Sequence, residues 1–255
     1  LGSIGMYKEA LDIVDSIPCN TVPEYLLPYY YYIKRTVASY LLDYSVRDED
    51  KDRYRRINDI YQDSLLYLCT PGSLTYIVNM ADKLNAKGDC RKSIEIVEDY
   101  IENNEYTSHD RAICANILAC AYQKLGDIEK QKENLLISSI ADLQSPVREY
   151  ISLRQLAVLL FKEGDIYNAH QFLRIAMDDA RKCNARLRIL EINDIFSLVN
   201  SAFVQEIQLQ KKQQRGLIIV ISVLVLFLLV AIRRIRKQMR KTSKAHQETK
   251  NANNQ

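Results

Sequence analysis

The chain has 255 residues, 47% of them hydrophobic and 26% charged, with a formal charge of +3 and six cysteines. Cys19, Cys69, Cys90, Cys114, Cys120 and Cys183 form no CxxC pair and no metal-ligand spacing, which excludes a cysteine-built metal or redox motif. The small net charge hides a division: residues 1–210 hold 24 Lys and Arg against 31 acids, whereas residues 211–255 hold 11 against one, Glu248. An acidic solvated domain tied to a basic segment is the implied layout.

In chain order, the opening "LGSIGMYKEA" lacks the basic and apolar regions of a signal peptide, and the close "HQETKNANNQ" is a polar helix-like run. Both ends read as cut from a longer protein. "IGMYKEALDIVDSIP" begins with a turn glycine, Gly5, followed by helix-period residues. From Pro23 to Cys69 a pair of long helices is expected, with Pro23 at the first position of one of them and tyrosines Tyr29 to Tyr32 in a row. Four consecutive residues point around a whole helix, so these tyrosines are expected to pack between helices and not to line one site.

The next stretch repeats. "NAKGDCRKSIEIV", "QKLGDIEKQKENLL" and "FKEGDIYNAHQFL" place Gly88, Gly126 and Gly164 at intervals of 38 residues, each followed by an aspartate. A fixed period in this range predicts stacked helical hairpins. Each glycine is expected to end one helix in the left-handed conformation, and Asp89, Asp127 and Asp165 to cap the next. Pro71 and Pro146 are expected at first helical positions, with Ser145 as an N-cap. Ile189, Ile192, Ile195 or Phe196, Val199, Phe203 and Ile207 then form an apolar stripe on a helix that closes the stack.

From Leu217 to Ile232 there is no charge, and Ser222 is the one polar side chain. A spanning helix needs roughly 20 residues for about 30 Å of hydrocarbon. Gly216 and the snorkelling Arg215, Arg233 and Arg234 make up the difference. Arg233, Arg234, Arg236, Lys237, Arg240 and Lys241 follow the span at once, against Lys211, Lys212 and Arg215 before it. That bias keeps the C-terminal flank cytoplasmic and places the repeats outside, and the basic flank suits anionic lipid headgroups. Cysteines read as small buried hydrophobes sit awkwardly with that oxidising exterior.

The three glycine units resemble the tetratricopeptide repeat. Leu156, Ala157, Leu160, Gly164, Ala169, Leu173 and Ala176 match its pattern of large and small positions best. Leu118, Ala119, Tyr122, Gly126, Gln131, Leu135 and Ser138 form a second match, and Met80, Ala81, Leu84, Gly88, Ser93, Val97 and Tyr100 a third. The resemblance implies an all-α solenoid of helical hairpins, followed by a long helix, one transmembrane helix and a basic juxtamembrane helix. The expected segments are a repeat array over 1–183, a capping and linker helix over 184–212, the span over 213–234 and a basic segment over 235–255. A period of 38 against the family's 34 implies helices about one turn longer.

In this family the first helix of each pair lines a groove for a protein or peptide. The resemblance carries that role to Thr75, Val78, Asp82 and Asn85, to Ile113, Asn116, Cys120 and Gln123, and to Ile151, Arg154, Val158 and Phe161. The polar candidates are Asp82, Asn85, Asn116, Gln123 and Arg154; the family's lysine and asparagine clamp for a peptide carboxylate is not reproduced. No GxSxG, Walker loop, HExxH or Cys/His cluster is present, so neither an enzyme nor a cofactor is expected.

The order of parts, with "RLRILEINDIFSLVN" before the span and "RKQMRKTSKAHQET" after it, also resembles an uncharacterised family from Bacteroides-type bacteria. Those proteins carry helical repeats, one span and a cytoplasmic helix-turn-helix-like region. This resemblance implies a single-pass inner-membrane protein, the extracytoplasmic sensing part of a signalling or transcription regulator. Its partners would be a groove-bound protein or peptide, the lipid bilayer and, weakly, a second copy, with no nucleic acid bound by this fragment. An envelope assembly scaffold and the sensory half of a histidine kinase are the alternatives.

Overall fold

A computed structural model describes residues 6–144, 151–182 and 186–252, the side chains of 186, 187, 241 and 243–252 excepted. Gly5, Ser145, Pro146 and Cys183 lie outside the described residues, and the side chains of Lys244 and His246 are likewise not described. The described residues form ten α-helices and two short 3₁₀ turns, with no strand among them. The chain divides into two compact units, Leu1–Asn200 and Ser201–Gln255.

The first unit begins with α1 (Tyr7–Asp15) and 3₁₀ turns over Cys19–Thr21 and Glu24–Leu26. Four hairpins follow: α2 (Leu27–Tyr44) with α3 (Asp48–Leu68), α4 (Leu74–Lys87) with α5 (Cys90–Asn103), α6 (Ser108–Leu125) with α7 (Ile128–Gln144), and α8 (Ile151–Glu163) with α9 (Ile166–Lys182). α10 (Arg186–Ala252) runs on for 67 residues. The extensive packing joins the two helices of each hairpin and each hairpin to the next, and α4 also meets α6. That nearest-neighbour pattern defines a solenoid.

The hairpin turns follow from their glycines. Gly88, Gly126 and Gly164 have φ of 88°, 77° and 88°, a region closed to most side chains. In each turn the glycine N–H reaches back three residues, to Asn85, Gln123 or Phe161, while the aspartate N–H bonds the carbonyl of Leu84, Tyr122 or Leu160. These paired bonds satisfy carbonyls that a helix end otherwise leaves open. Asp127 and Asp165 then accept the backbone N–H of Lys130 and Asn168, both at 3.1 Å. Asp89 does not: it precedes α5 without a side-chain capping bond.

Two proline expectations are corrected. Pro23 precedes a 3₁₀ turn, and α2 starts four residues later with Pro28 in its first turn. A helix begun at Pro23 would have carried Pro28 in its interior, losing a backbone bond and clashing with the preceding turn. In a helix that starts at Leu27 the N–H that Pro28 lacks falls in the first turn, where it would have no partner in the helix. Pro71 sits in a turn two residues before Ser73, whose hydroxyl accepts the Tyr76 N–H and caps α4. Gly72, at φ of 84°, stops any helix from running through Pro71 into Ser73.

The three hairpins with a glycine turn bury most of their repeat positions, with Met80, Leu84 and Gln131 half-buried. Leu156, Ala157, Leu160, Ala169, Leu173 and Ala176 form one cluster, which Ile192 and Val199 of α10 complete. Ala81, Val97, Tyr100, Cys114, Leu118 and Tyr122 form a second. Tyr7, Ala10, Leu11 and Val37 form a third at the N-terminal end. Where the repeat pattern has a small residue, a buried serine replaces it twice without leaving its hydroxyl unpaired. Ser93 donates to the Ala81 carbonyl at 3.1 Å and Ser138 to that of Ala112 at 2.8 Å. The tyrosine run divides as its helix demands. Tyr30 is buried and donates to the Ile17 carbonyl, Tyr31 lies against Cys19, and Tyr29 and Tyr32 face solvent.

In the second unit every side chain from Gln208 to Arg240 is exposed, including the whole apolar run. Ser222 turns its hydroxyl onto the Ile218 carbonyl at 2.7 Å, so its one polar group is satisfied within the helix. By length and composition α10 can cross a membrane.

Candidate functional site

The inner face of the array is assembled from α2, α4, α6 and α8, the first helices of the hairpins. Between α4, α6 and α8 lies a hollow of about 160 Å³. Val78, Ile113 and Ile151 give it apolar walls, and Asp82, Asn116 and Ser152 bring polar groups to it. Asn116 donates to the Ser152 hydroxyl at 2.8 Å, and Ser152 and Ser138 are 2.6 Å apart, oxygen to oxygen. The first helices α6 and α8 are thereby tied through side chains to each other and to α7, beside the groove positions of α4.

Of the polar groove candidates, Asp82 and Asn116 line this hollow. Gln123 is exposed two turns further along α6. Asn85 is buried: its side-chain amide lies 3.5 Å from the Ile117 carbonyl, and its backbone carbonyl accepts Lys124 at 2.5 Å. Position 85 is two residues from the end of α4, where the helix turns its side chain toward α6. Arg154 is drawn away from the others, 3.7 Å from Glu191 of α10.

Three residues that the repeat pattern did not single out, Arg35, Asn79 and Gln62, hold the rest of the face. Arg35 of α2 forks onto Asn79 at 2.6 Å and Asp82 at 2.9 Å, so Asp82 presents a paired carboxylate. Gln62 of α3 fixes the same register by donating to the Asn79 carbonyl at 3.1 Å. Cys120, between Asn116 and Gln123, has its thiol pushed up by burial and by the Asp82 carboxylate, with Lys124 opposing. It is neutral and a poor nucleophile at neutral pH. The signal for Arg35 was available, since α2 precedes α4 in the stack, but that hairpin lacks the Gly-Asp turn from which groove positions are counted.

A second, shallower hollow of about 510 Å³ opens where α2 begins and α3 ends, lined by Tyr25, Pro28, Tyr29, Tyr32, Leu68 and Cys69. It carries exposed aromatic faces and no charge.

The profile of the SusR N-terminal TPR domain matches residues 1–194. The chain belongs to this family. No curated protein shows significant similarity to it. The SusR-type TPR domain therefore takes in all four hairpins and the first turns of α10, up to Ile192 of the last core cluster. It ends before the apolar run. Domains of this architecture mediate protein–protein interaction.

Proposed function

We propose that this chain is a membrane-anchored interaction module, the extracytoplasmic sensing part of a bacterial signalling or transcription regulator, without catalytic activity of its own. The observation that carries the binding half is the hollow at the convergence of α4, α6 and α8. It joins apolar walls to a fixed polar network, the combination that seats one anchoring side chain of an extended peptide. The anchoring half rests on the fully exposed apolar run of α10 and the basic residues that follow it.

The test uses the whole chain in lipid nanodiscs and a library of fluorescein-labelled eight-residue peptides followed by fluorescence anisotropy. Peptides that bind should lose about tenfold or more in affinity with Ile113→Asp, which puts a charge into the apolar wall. They should keep wild-type affinity with Glu133→Lys on the exposed side of α7. Equal loss with both variants, or binding that ignores Ile113→Asp, would remove the hollow as the site.

A further inference from the structure

Solenoid helices pack on their neighbours in sequence, so the two ends of an array have no need to meet. Here they do. Tyr7 of α1 stacks on Tyr40 of α2 with ring centroids 4.6 Å apart, and Tyr44 lies 6.1 Å from Tyr7. Across from them, Arg188 of α10 donates to the Tyr40 hydroxyl at 2.9 Å and places its guanidinium 5.4 Å from the Tyr40 ring centroid. Glu191, one turn later, accepts Arg188 at 3.1 Å and also the Tyr44 hydroxyl. On its other side it is 3.7 Å from Arg154 of α8. Arg188 and Glu191 side chains are each 17% exposed, so this cluster is largely withdrawn from water.

We propose that this cluster is a clasp that closes the array end to end, and that the array opens between α2 and α10 when the clasp is released. Two features support an openable contact over a permanent core. Its α2–α10 bonds are hydroxyl and charge bonds, which exchange for water at small net cost, whereas the apolar clusters beside it have no such exchange. The helices α1 to α9 also keep their packing on their neighbours if the clasp parts, because the extensive contacts run hairpin to hairpin, and α10 keeps Ile192 and Val199 in the last core cluster. Glu191 is the hub: it is the group that α2, α8 and the first turn of α10 share. Arg154 of α8 also ends on Glu191, so the clasp is continuous with the last hairpin. The inference stands on contacts within the array and does not depend on what the groove binds.

Spin-label distances in the full chain in nanodiscs test it, with native cysteines replaced. One label pair, Arg56→Cys with Asn193→Cys, spans the clasp; the other, Arg111→Cys with Arg174→Cys, lies within the α6–α9 hairpins. Glu191→Gln and, separately, Tyr44→Phe should lengthen the first distance by more than about 3 Å and broaden its distribution, leaving the second unchanged. In the double variant the first distance should match that of Glu191→Gln alone, because the Tyr44 bond ends on Glu191. An unchanged first distance in both single variants, or equal changes in both label pairs, would overturn the clasp.

Discussion

At the scale of single residues, the turn glycines and the clasp tyrosines make opposite demands. Gly126 and Gly164 have nothing within 4 Å of where a Cβ would stand, so a side chain there meets no clash and only the positive φ resists it. Gly126→Val should therefore destabilise the array by about 1–3 kcal/mol, with Gly126→Asn costing less because asparagine tolerates that conformation. Thermal unfolding of both variants checks this; equal stability of valine and wild type would mean the turn is not held as described. Tyr7 depends on burial instead. Its hydroxyl is pushed up to about 12, by burial first and then by the neighbouring Tyr40, with Arg188 opposing. Tyr44 is pushed up as well, by burial and by its bond to Glu191.

The folded Tyr7 pKa lies above the unfolded value near 10, so the folded state holds that proton more tightly. The stability this confers is complete below pH 10 and is lost as pH rises toward 12. Urea unfolding from pH 8 to 11.5 should show the wild type losing stability faster than Tyr7→Phe above pH 10, with parallel behaviour below it. Parallel curves throughout would mean that Tyr7 ionises as freely in the folded state as in the unfolded one.

At the scale of elements, the helices are set by their ends as much as by their faces. Thr107 and Asp110 exchange bonds at the start of α6, satisfying two donors that the helix would leave open. Pro28 sets the start of α2, and Ser73 that of α4. α10 is the exception, because it has no break at the passage from its core-facing turns to its apolar run. Gly216 is its one glycine, and no proline interrupts it. An isolated glycine costs a helix about 1 kcal/mol, too little to end one of this length. If α10 crosses a membrane with its basic flank inside, reporter enzymes that need an oxidising compartment should be active when fused after Gln210 and inactive after Lys244. Activity in the reverse order would place the repeats in the cytoplasm and would remove the conflict with the five described cysteines, all of them free.

At the scale of the whole molecule, the repeats were legible in sequence wherever one local rule did all the work. A glycine in the left-handed region followed by a polar residue needs no distant partner, so Gly88, Gly126 and Gly164 marked their turns directly. The alternation of large and small positions marked Leu156, Ala157, Ala169 and Leu173 as core for the same reason. The first hairpin was harder: α2 and α3 join through an extended Ser45 and Arg47 without glycine, which left Arg35, Asn79 and the pairing of Arg35 with Asp82 unread. Of the groove candidates Asn116 and Asp82 line the hollow, whereas Asn85 is buried and Arg154 reaches Glu191, because helical spacing gives a direction and not a neighbour.

Sequence by itself therefore determined what depends on chain-local physics. That comprises the helical class, the phase of the repeats, the turn glycines and the apolar run with its basic flank. Backbone dihedral preferences, helical period and the cost of burying charge in hydrocarbon act within a few residues and are written in them. Tertiary structure alone decided which polar side chains meet. Arg35 reaches Asn79 across 44 residues, Asn116 reaches Ser152 across 36, and Arg188 reaches Tyr40 across 148. Such pairings depend on the accumulated rotation from one hairpin to the next, to which every helix length and turn contributes a small amount. No single stretch of the chain encodes that sum.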